Sequence, residues 1–143
     1  MIEYQKILDK NMLNVLKDIL KNIRDNGLSN NNHLYITFLT NHTNVELPNW
    51  LKQKYPQEMT IIIQHEYYDL EINKNNFAIT LSFGDIKTNL KINYNAIVSF
   101  ADPSANFGLI LHKNKIQKKV NEKSENNKSK KDNVINFSNY KKN

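Results

Sequence analysis

The first part of the chain carries apolar side chains at steps of three and four residues, which is the spacing of one face of an α-helix. The members of this series are Tyr4, Ile7, Leu8, Met12, Val15, Leu16, Ile19, Leu20 and Ile23. Gly27 follows the series, and glycine commonly ends helices. The apolar stripe is wide. We predict a helix over residues 1 to about 26. Its apolar stripe packs either on the core of its own domain alone or also against a second surface such as a partner helix.

From residue 30 to residue 111 the pattern changes to short β-rich runs separated by turn residues. Strands are predicted at residues 34–39, 59–64, 66–72, 77–83, 89–92, 96–100 and 107–111. Pro48 predicts one short helix at its C-terminal side. No strand alternates with a long helix, which excludes a doubly wound parallel sheet. The sequence therefore predicts an α+β fold that is mainly β: a small antiparallel β-barrel or sandwich with an N-terminal helix.

The last 32 residues differ from the rest of the chain in charge and composition. Residues 112–143 contain ten lysines and three acidic residues, a net charge of +7, whereas residues 1–111 have a net charge of −1. Residues 112–133 hold too few apolar side chains to offset the entropy of folding, so we predict a disordered, flexible linker there. An apolar and aromatic cluster follows at residues 134–140. This cluster indicates a short docking peptide on a tether, or a frayed end with chance apolar residues.

The residue types required for several classes of chemistry are missing from the sequence. There is no cysteine, which excludes a thiolate metal site and a cysteine nucleophile. The four histidines lack the spacing of metal ligands, and three glycines are too few for a glycine-rich phosphate loop. We therefore expect a protein that binds no metal or cofactor.

Charge and hydropathy also limit the expected partners and location. A body of net charge −1 is not expected to hold the basic groove that nucleic-acid binding needs. Uninterrupted apolar runs are no longer than three residues, as at residues 61–63, so no membrane span is predicted. We expect a cytoplasmic protein that does not bind membranes. Direct binding of nucleic acid is not expected.

Four segments of the β-rich body carry a distinctive combination of residues. They read YITFLT at residues 35–40, KYPQEMTIIIQHEYYDL at residues 54–70, LSFGDI at residues 81–86 and FADPSANFGL at residues 100–109. Together these segments resemble the SspB family of the α-proteobacterial type. The tail adds to the resemblance, since its terminal cluster is similar to the protease-docking motif of that family. The likeness therefore covers nearly the whole body and reaches the end of the chain.

The resemblance implies an adaptor that performs no covalent chemistry. Proteins of this family bind the ssrA tag of stalled translation products and deliver them to the ClpX unfoldase of ClpXP. The implied fold is a small Sm-like β-barrel or sandwich over residues 1–111, in which residues 1–27 form a dimerisation helix and residues 30–111 the β-rich body. The implied linker covers residues 112–133 and the ClpX-docking motif residues 134–143. The alternatives are an Sm-like or basic-tailed RNA-binding protein and a plain dimeric scaffold.

The resemblance also assigns residues to three binding surfaces. The groove for the tag peptide is expected to involve Gln64, His65, Glu66, Tyr67, Phe83, Gly84, Asp85 and Ile86. Docking to the N-terminal domain of ClpX is expected to involve Val134, Ile135, Phe137, Tyr140 and Lys141. The homodimer interface is expected to involve Leu8, Met12, Val15, Leu16 and Ile19. At the turn of residues 83–86, enterobacterial relatives usually carry two glycines, whereas this chain has Gly84 followed by Asp85.

Overall fold

The computed structural model of the protein describes residues 1–29 and 31–111. The elements within these ranges are α1 (Tyr4–Asn26), β1 (Leu34–Leu39), α2 (Asn49–Lys54), β2 (Glu58–Ile63), β3 (Tyr68–Ile72), β4 (Asn76–Phe83), β5 (Ile86–Asn93), β6 (Ile97–Asp102) and β7 (Phe107–Ile110). Short 3₁₀ turns precede β6 at Tyr94–Ala96 and β7 at Pro103–Ala105. The predicted linker and docking motif lie outside the described residues.

The strands form two antiparallel sheets. The first sheet has the strand order β2-β1-β6-β7, and the second has the order β3-β4-β5. All of the strand pairs are antiparallel. The mainly β fold with one long N-terminal helix is therefore confirmed.

Alternation along the strands places one face of each sheet in a shared core. In β1, Leu34, Ile36 and Phe38 are buried while the residues between them are partly exposed. Phe77 from β4 and Phe100 from β6 are also fully buried, so both sheets contribute large side chains to the same cluster. Burial of each such side chain stabilises the fold by roughly 1.5–3 kcal/mol.

The helix α1 covers this core with one face and leaves a second apolar face exposed. Met12 and Leu16, which the sequence assigns to a dimer interface, are only 8% and 0% exposed and pack within their own domain. Leu16 therefore has no surface left to offer a partner. Leu8 and Val15 are 51% and 39% exposed. The helix ends at Gly27, whose φ of 79° lies in the left-handed region that favours glycine.

The predicted strands depart from the structure in two places: β5 is longer than the predicted residues 89–92, and the segment between β2 and β3 is less regular than predicted. Gln64 follows the end of β2, and Glu66 and Tyr67 belong to the connection before β3, although the sequence places all three in strands. Asp69 has a left-handed φ of 52°, and the β3–β4 register shifts between Tyr68 and Glu71. A strand cannot run regularly through such a bulge. The paired part of this segment is therefore shorter than its β-rich composition predicts.

A partly exposed carboxylate organises the turn between β6 and β7. The Asp102 side chain accepts hydrogen bonds from Asn32 Nδ2 at 2.7 Å and from the backbone N–H of Ser104 at 3.1 Å. Burial alone would raise the pKa of this carboxyl, but hydrogen bonds from Ser104 and Asn32 outweigh that effect and lower the pKa. Backbone hydrogen bonds from His33 and Ala105 act in the same direction. Asp102 thus ties the loop before β1 to the turn after β6.

Candidate functional site

Two strand segments face each other where the two sheets meet. Within the described residues β2 pairs with β1 and lies at the edge of its sheet. In the second sheet, the pairing of β3 with β4 ends at Tyr68 and Thr80. Residues 81–83 of β4 therefore extend beyond the end of β3. A cavity of about 400 Å³ lies between the edge of β2 and this end of β4. We call it the β2–β4 groove.

The groove brings together half of the residues expected to bind a peptide. Its lining consists of Thr60, Ile61, Ile62, Gln64, His65, Glu66, Leu81, Ser82 and Phe83. Gln64, His65 and Glu66 come from the connection after β2, and Phe83 ends β4. The lining combines apolar walls with amide, imidazole, carboxylate and hydroxyl groups that can form hydrogen bonds with an extended chain.

The other four expected residues lie beside the groove and do not line it. Tyr67 is half-buried and packs against the core. Gly84 and Asp85 form the exposed turn that follows Phe83. Ile86 pairs with Phe83 across this turn and is 56% exposed. These residues adjoin lining residues along the chain, since Tyr67 follows Glu66 and the turn follows Phe83.

The turn at Gly84 needs only one glycine. Gly84 has a φ of 65°, whereas the positive φ values outside glycine belong to Asp69 and Asn106 among the described residues. A two-residue hairpin with glycine at its first central position matches a type II′ turn. Asp85 occupies the second position, where no positive φ is required. An aspartate therefore replaces the second glycine of enterobacterial relatives without backbone strain.

Sequence reasoning missed the aromatic support of the groove. Trp50, from the short helix α2, lies edge-on to Phe83 with the ring centroids 6.2 Å apart and the ring planes 80° apart. Trp50 remains 41% exposed. Such a contact is worth roughly 0.5–1.5 kcal/mol beyond area burial and orients Phe83. The available signal was that α2 carries the sole tryptophan of the chain.

The groove residues Thr60, Ser82 and Leu81 were also missed as site residues. They lie inside strands that the sequence predicts, but their facing positions depend on how the sheets pack. Among the described residues no group of three or more histidine, aspartate or glutamate side chains is placed to hold a metal ion. None of the helices in the described part of the chain has the length and apolar character needed to cross a membrane.

Comparison with known families identifies the chain. The family model of SspB, described as stringent starvation protein B, matches residues 7–143. The chain belongs to the SspB family. The match spans the described body and continues through the tail. SspB membership supports a general adaptor role and a connection with proteolysis. A comparison with curated proteins gave no match.

Proposed function

We propose that this SspB-family chain binds ssrA-tagged polypeptides in the β2–β4 groove and tethers them to the ClpX unfoldase for degradation by ClpXP. The observation that carries this proposal is the cavity between the edge of β2 and the part of β4 that extends past β3. An extended peptide fits between two such strand segments. The proposed action is binding and delivery in the cytoplasm, with no covalent step.

Peptide binding in this groove follows the physics of strand addition. Main-chain hydrogen bonds to an edge strand supply affinity, and pockets for alternate side chains supply specificity. Gln64 and Glu66 provide an amide and a carboxylate at the groove, while Phe83 provides an apolar wall. Because Trp50 packs edge-on to Phe83, the wall is positioned before the peptide arrives. Preorganisation of this kind lowers the entropy cost of binding.

The tail supplies the second attachment in this proposal. In this proposal the 22 residues 112–133 serve as the tether. A flexible coil of that length spans about 26 Å root-mean-square. Val134, Ile135 and Phe137 then dock on the N-terminal domain of ClpX, together with Tyr140 and Lys141. The tether lets cargo and docking peptide engage one unfoldase at the same time.

A homodimer would double this attachment. The exposed apolar face of α1 consists of Tyr4, Ile7, Leu8 and Val15, which are 39–73% exposed. Apolar area of this kind on a helix is a natural contact for a second copy of the chain. Two tails on one dimer would give bivalent docking, with the second contact made at an effective concentration of roughly millimolar order.

The peptide groove is tested by the variant Glu66→Ala, with Glu71→Ala as its matched control. Both glutamates are exposed, but only Glu66 lines the groove. Loss of a hydrogen bond to a charged group weakens binding by about tenfold or more. We expect Glu66→Ala to reduce the affinity for a fluorescent ssrA-tag peptide, measured by anisotropy, and Glu71→Ala to leave it unchanged. Equal affinities of both variants and the wild type would contradict the proposed site.

A further inference from the structure

A second and larger groove lies between α1 and the turn that joins β3 to β4. Its volume is about 1120 Å³, and Lys6, Lys10 and Lys17 from α1 line it together with Lys74 from the turn. Among the described residues that line it, Asp9 is the one acidic side chain. The lining therefore has a net charge of +3. We call this cavity the basic groove.

The overall charge of the body conceals this groove. Residues 1–111 contain ten basic and eleven acidic residues. Four of those ten basic residues line the one groove. The sequence argument against nucleic-acid binding used the net charge of −1, which averages over the whole surface. Local potential depends on which charges the fold places together.

One of the four lysines is held in place by its neighbours. Lys17 Nζ donates a hydrogen bond to the backbone carbonyl of Lys74 at 3.2 Å and lies 4.7 Å from the centroid of the Tyr94 ring. Tyr94 is only 4% exposed, and its hydroxyl donates to the Asn73 carbonyl. Lys17 thus links α1 to the β3–β4 turn across the groove. Part of the positive charge is therefore ordered before a ligand binds.

The lining also provides neutral hydrogen-bonding groups. Its asparagines are Asn14, Asn44, Asn75, Asn93 and Asn95. Each asparagine amide carries both donors and an acceptor. Such groups match the hydroxyl groups of ribose, which act as donor and acceptor and distinguish RNA from DNA.

The charge of the tail argues against the tail itself as the occupant. Leu111 lines the basic groove, and the segment of net charge +7 begins at the next residue. A basic segment is repelled by a basic groove. The charge of the groove and of the adjoining segment has the same sign, so both favour an anionic partner.

The spacing of the lysines favours a polymer over a small anion. Lys6 and Lys17 are separated by eleven residues of α1. This separation corresponds to about 16 Å along the helix axis. A free phosphate cannot contact both. A concave groove accepts a single strand, whereas reading duplex DNA requires an element that protrudes into the major groove.

We propose that the basic groove binds the sugar-phosphate backbone of single-stranded RNA. The lysines contact phosphates, and the asparagines contact ribose hydroxyls. The basic groove shares no lining residue with the β2–β4 groove, so the proposal does not depend on peptide binding. An RNA strand and a tag peptide then have separate sites on the same body.

The test uses the full chain and a fluorescent uridine 20-mer, with binding measured by anisotropy at 0.1 M salt. The groove variant is Lys6→Glu with Lys10→Glu. The control is Lys52→Glu with Lys54→Glu, which makes the same charge change on α2 outside the groove. Each single-strand phosphate contact contributes about fivefold in affinity at this salt concentration. We expect the groove variant to lose at least about 25-fold in affinity and the control to stay within about threefold.

The salt dependence and competing ligands give independent readouts. Loss of two contacts lowers the magnitude of the slope of log affinity against log salt by about 1.4. Equal losses in the groove variant and the control would overturn the proposal, because total charge would then explain binding. A thymidine DNA 20-mer that binds as tightly as RNA would overturn the assignment to RNA, and tighter binding of polyglutamate would assign the groove to acidic peptides. Tag-peptide affinity should be unchanged in the groove variant, which separates this test from that of the proposed function.

Discussion

The two faces of α1 predict opposite effects for two leucine substitutions on the same helix. Leu8 is 51% exposed, whereas Leu16 is 0% exposed and belongs to the core. If the exposed face pairs two chains, Leu8→Ala should weaken the dimer with little effect on the folded body. Leu16→Ala should destabilise the body itself. Both variants remove the same atoms, so a difference between their effects on dimerisation and on stability reflects only which surface each leucine contacts.

The expected magnitudes follow from these exposures. Full burial of a leucine side chain is worth roughly 1.5–3 kcal/mol, so burial of the exposed half of Leu8 contributes about 1 kcal/mol per protomer. A twofold interface contains Leu8 twice, and the total of about 2 kcal/mol corresponds to about a 30-fold weaker dimer. Leu16→Ala leaves a cavity and costs about 2–5 kcal/mol of unfolding free energy. Its Tm should fall by roughly 10–20 °C.

Sedimentation equilibrium across micromolar concentrations measures the first effect, and thermal unfolding at matched protein concentration measures the second. The wild type should sediment as a dimer. A wild type that stays monomeric throughout this range would refute the pairing of α1. So would a Leu8→Ala variant that dimerises as tightly as the wild type.

Three further predictions concern the groove, the tail and acid stability. Ser82→Trp should fill part of the β2–β4 groove and weaken tag-peptide binding by at least about tenfold. The control Asn89→Trp, on the exposed surface of β5, should leave tag-peptide affinity unchanged. Equal anisotropy curves for the two variants would contradict the site. Deletion of residues 134–143 should raise the Michaelis constant for ClpXP degradation of a tagged substrate and leave tag binding unchanged. A variant with residues 113–131 scrambled should deliver the substrate normally. The reverse pattern would show that delivery depends on the basic charge of the tail. Asp102→Asn should lower the free energy of unfolding by about 1.5 kcal/mol at pH 7. Because the folded-state pKa of Asp102 is lowered, the stability difference between variant and wild type should hold above about pH 4 and shrink as pH falls further. Urea unfolding at pH 7 and pH 3 measures this difference, and an equal difference at both pH values would show that the charge plays no part.

Several elements of the fold were predictable because they depend on near neighbours in the chain. The three- and four-residue steps of α1 and the glycine at residue 27 define the helix correctly. Alternation in β1 identifies its buried face. Helix and strand periodicities arise from backbone geometry, so they are visible without tertiary contacts. The connection at residues 64–67 was missed because its composition, like that of the strands on either side, contains no proline or glycine to signal a turn.

The candidate peptide site was predictable only in part. The resemblance to the SspB family named Gln64, Glu66 and Phe83, which line the β2–β4 groove. Local sequence gave no reason to add Ser82, because its neighbours in the groove come from a different sheet. Trp50 was missed for the same reason, since its contact with Phe83 joins α2 to the end of β4.

The sequence by itself determined the helix, most of the strands, the division of charge between body and tail, and the family. The periodicity of α1 even places Lys6, Lys10 and Lys17 near one another on the helix. Only the tertiary structure decided that Lys74 joins them, that Leu16 is buried while Leu8 is exposed, and that β2 and β4 enclose a groove. The physical reason is that periodicity and composition are local, whereas a cavity is bounded by residues that meet only when distant elements pack.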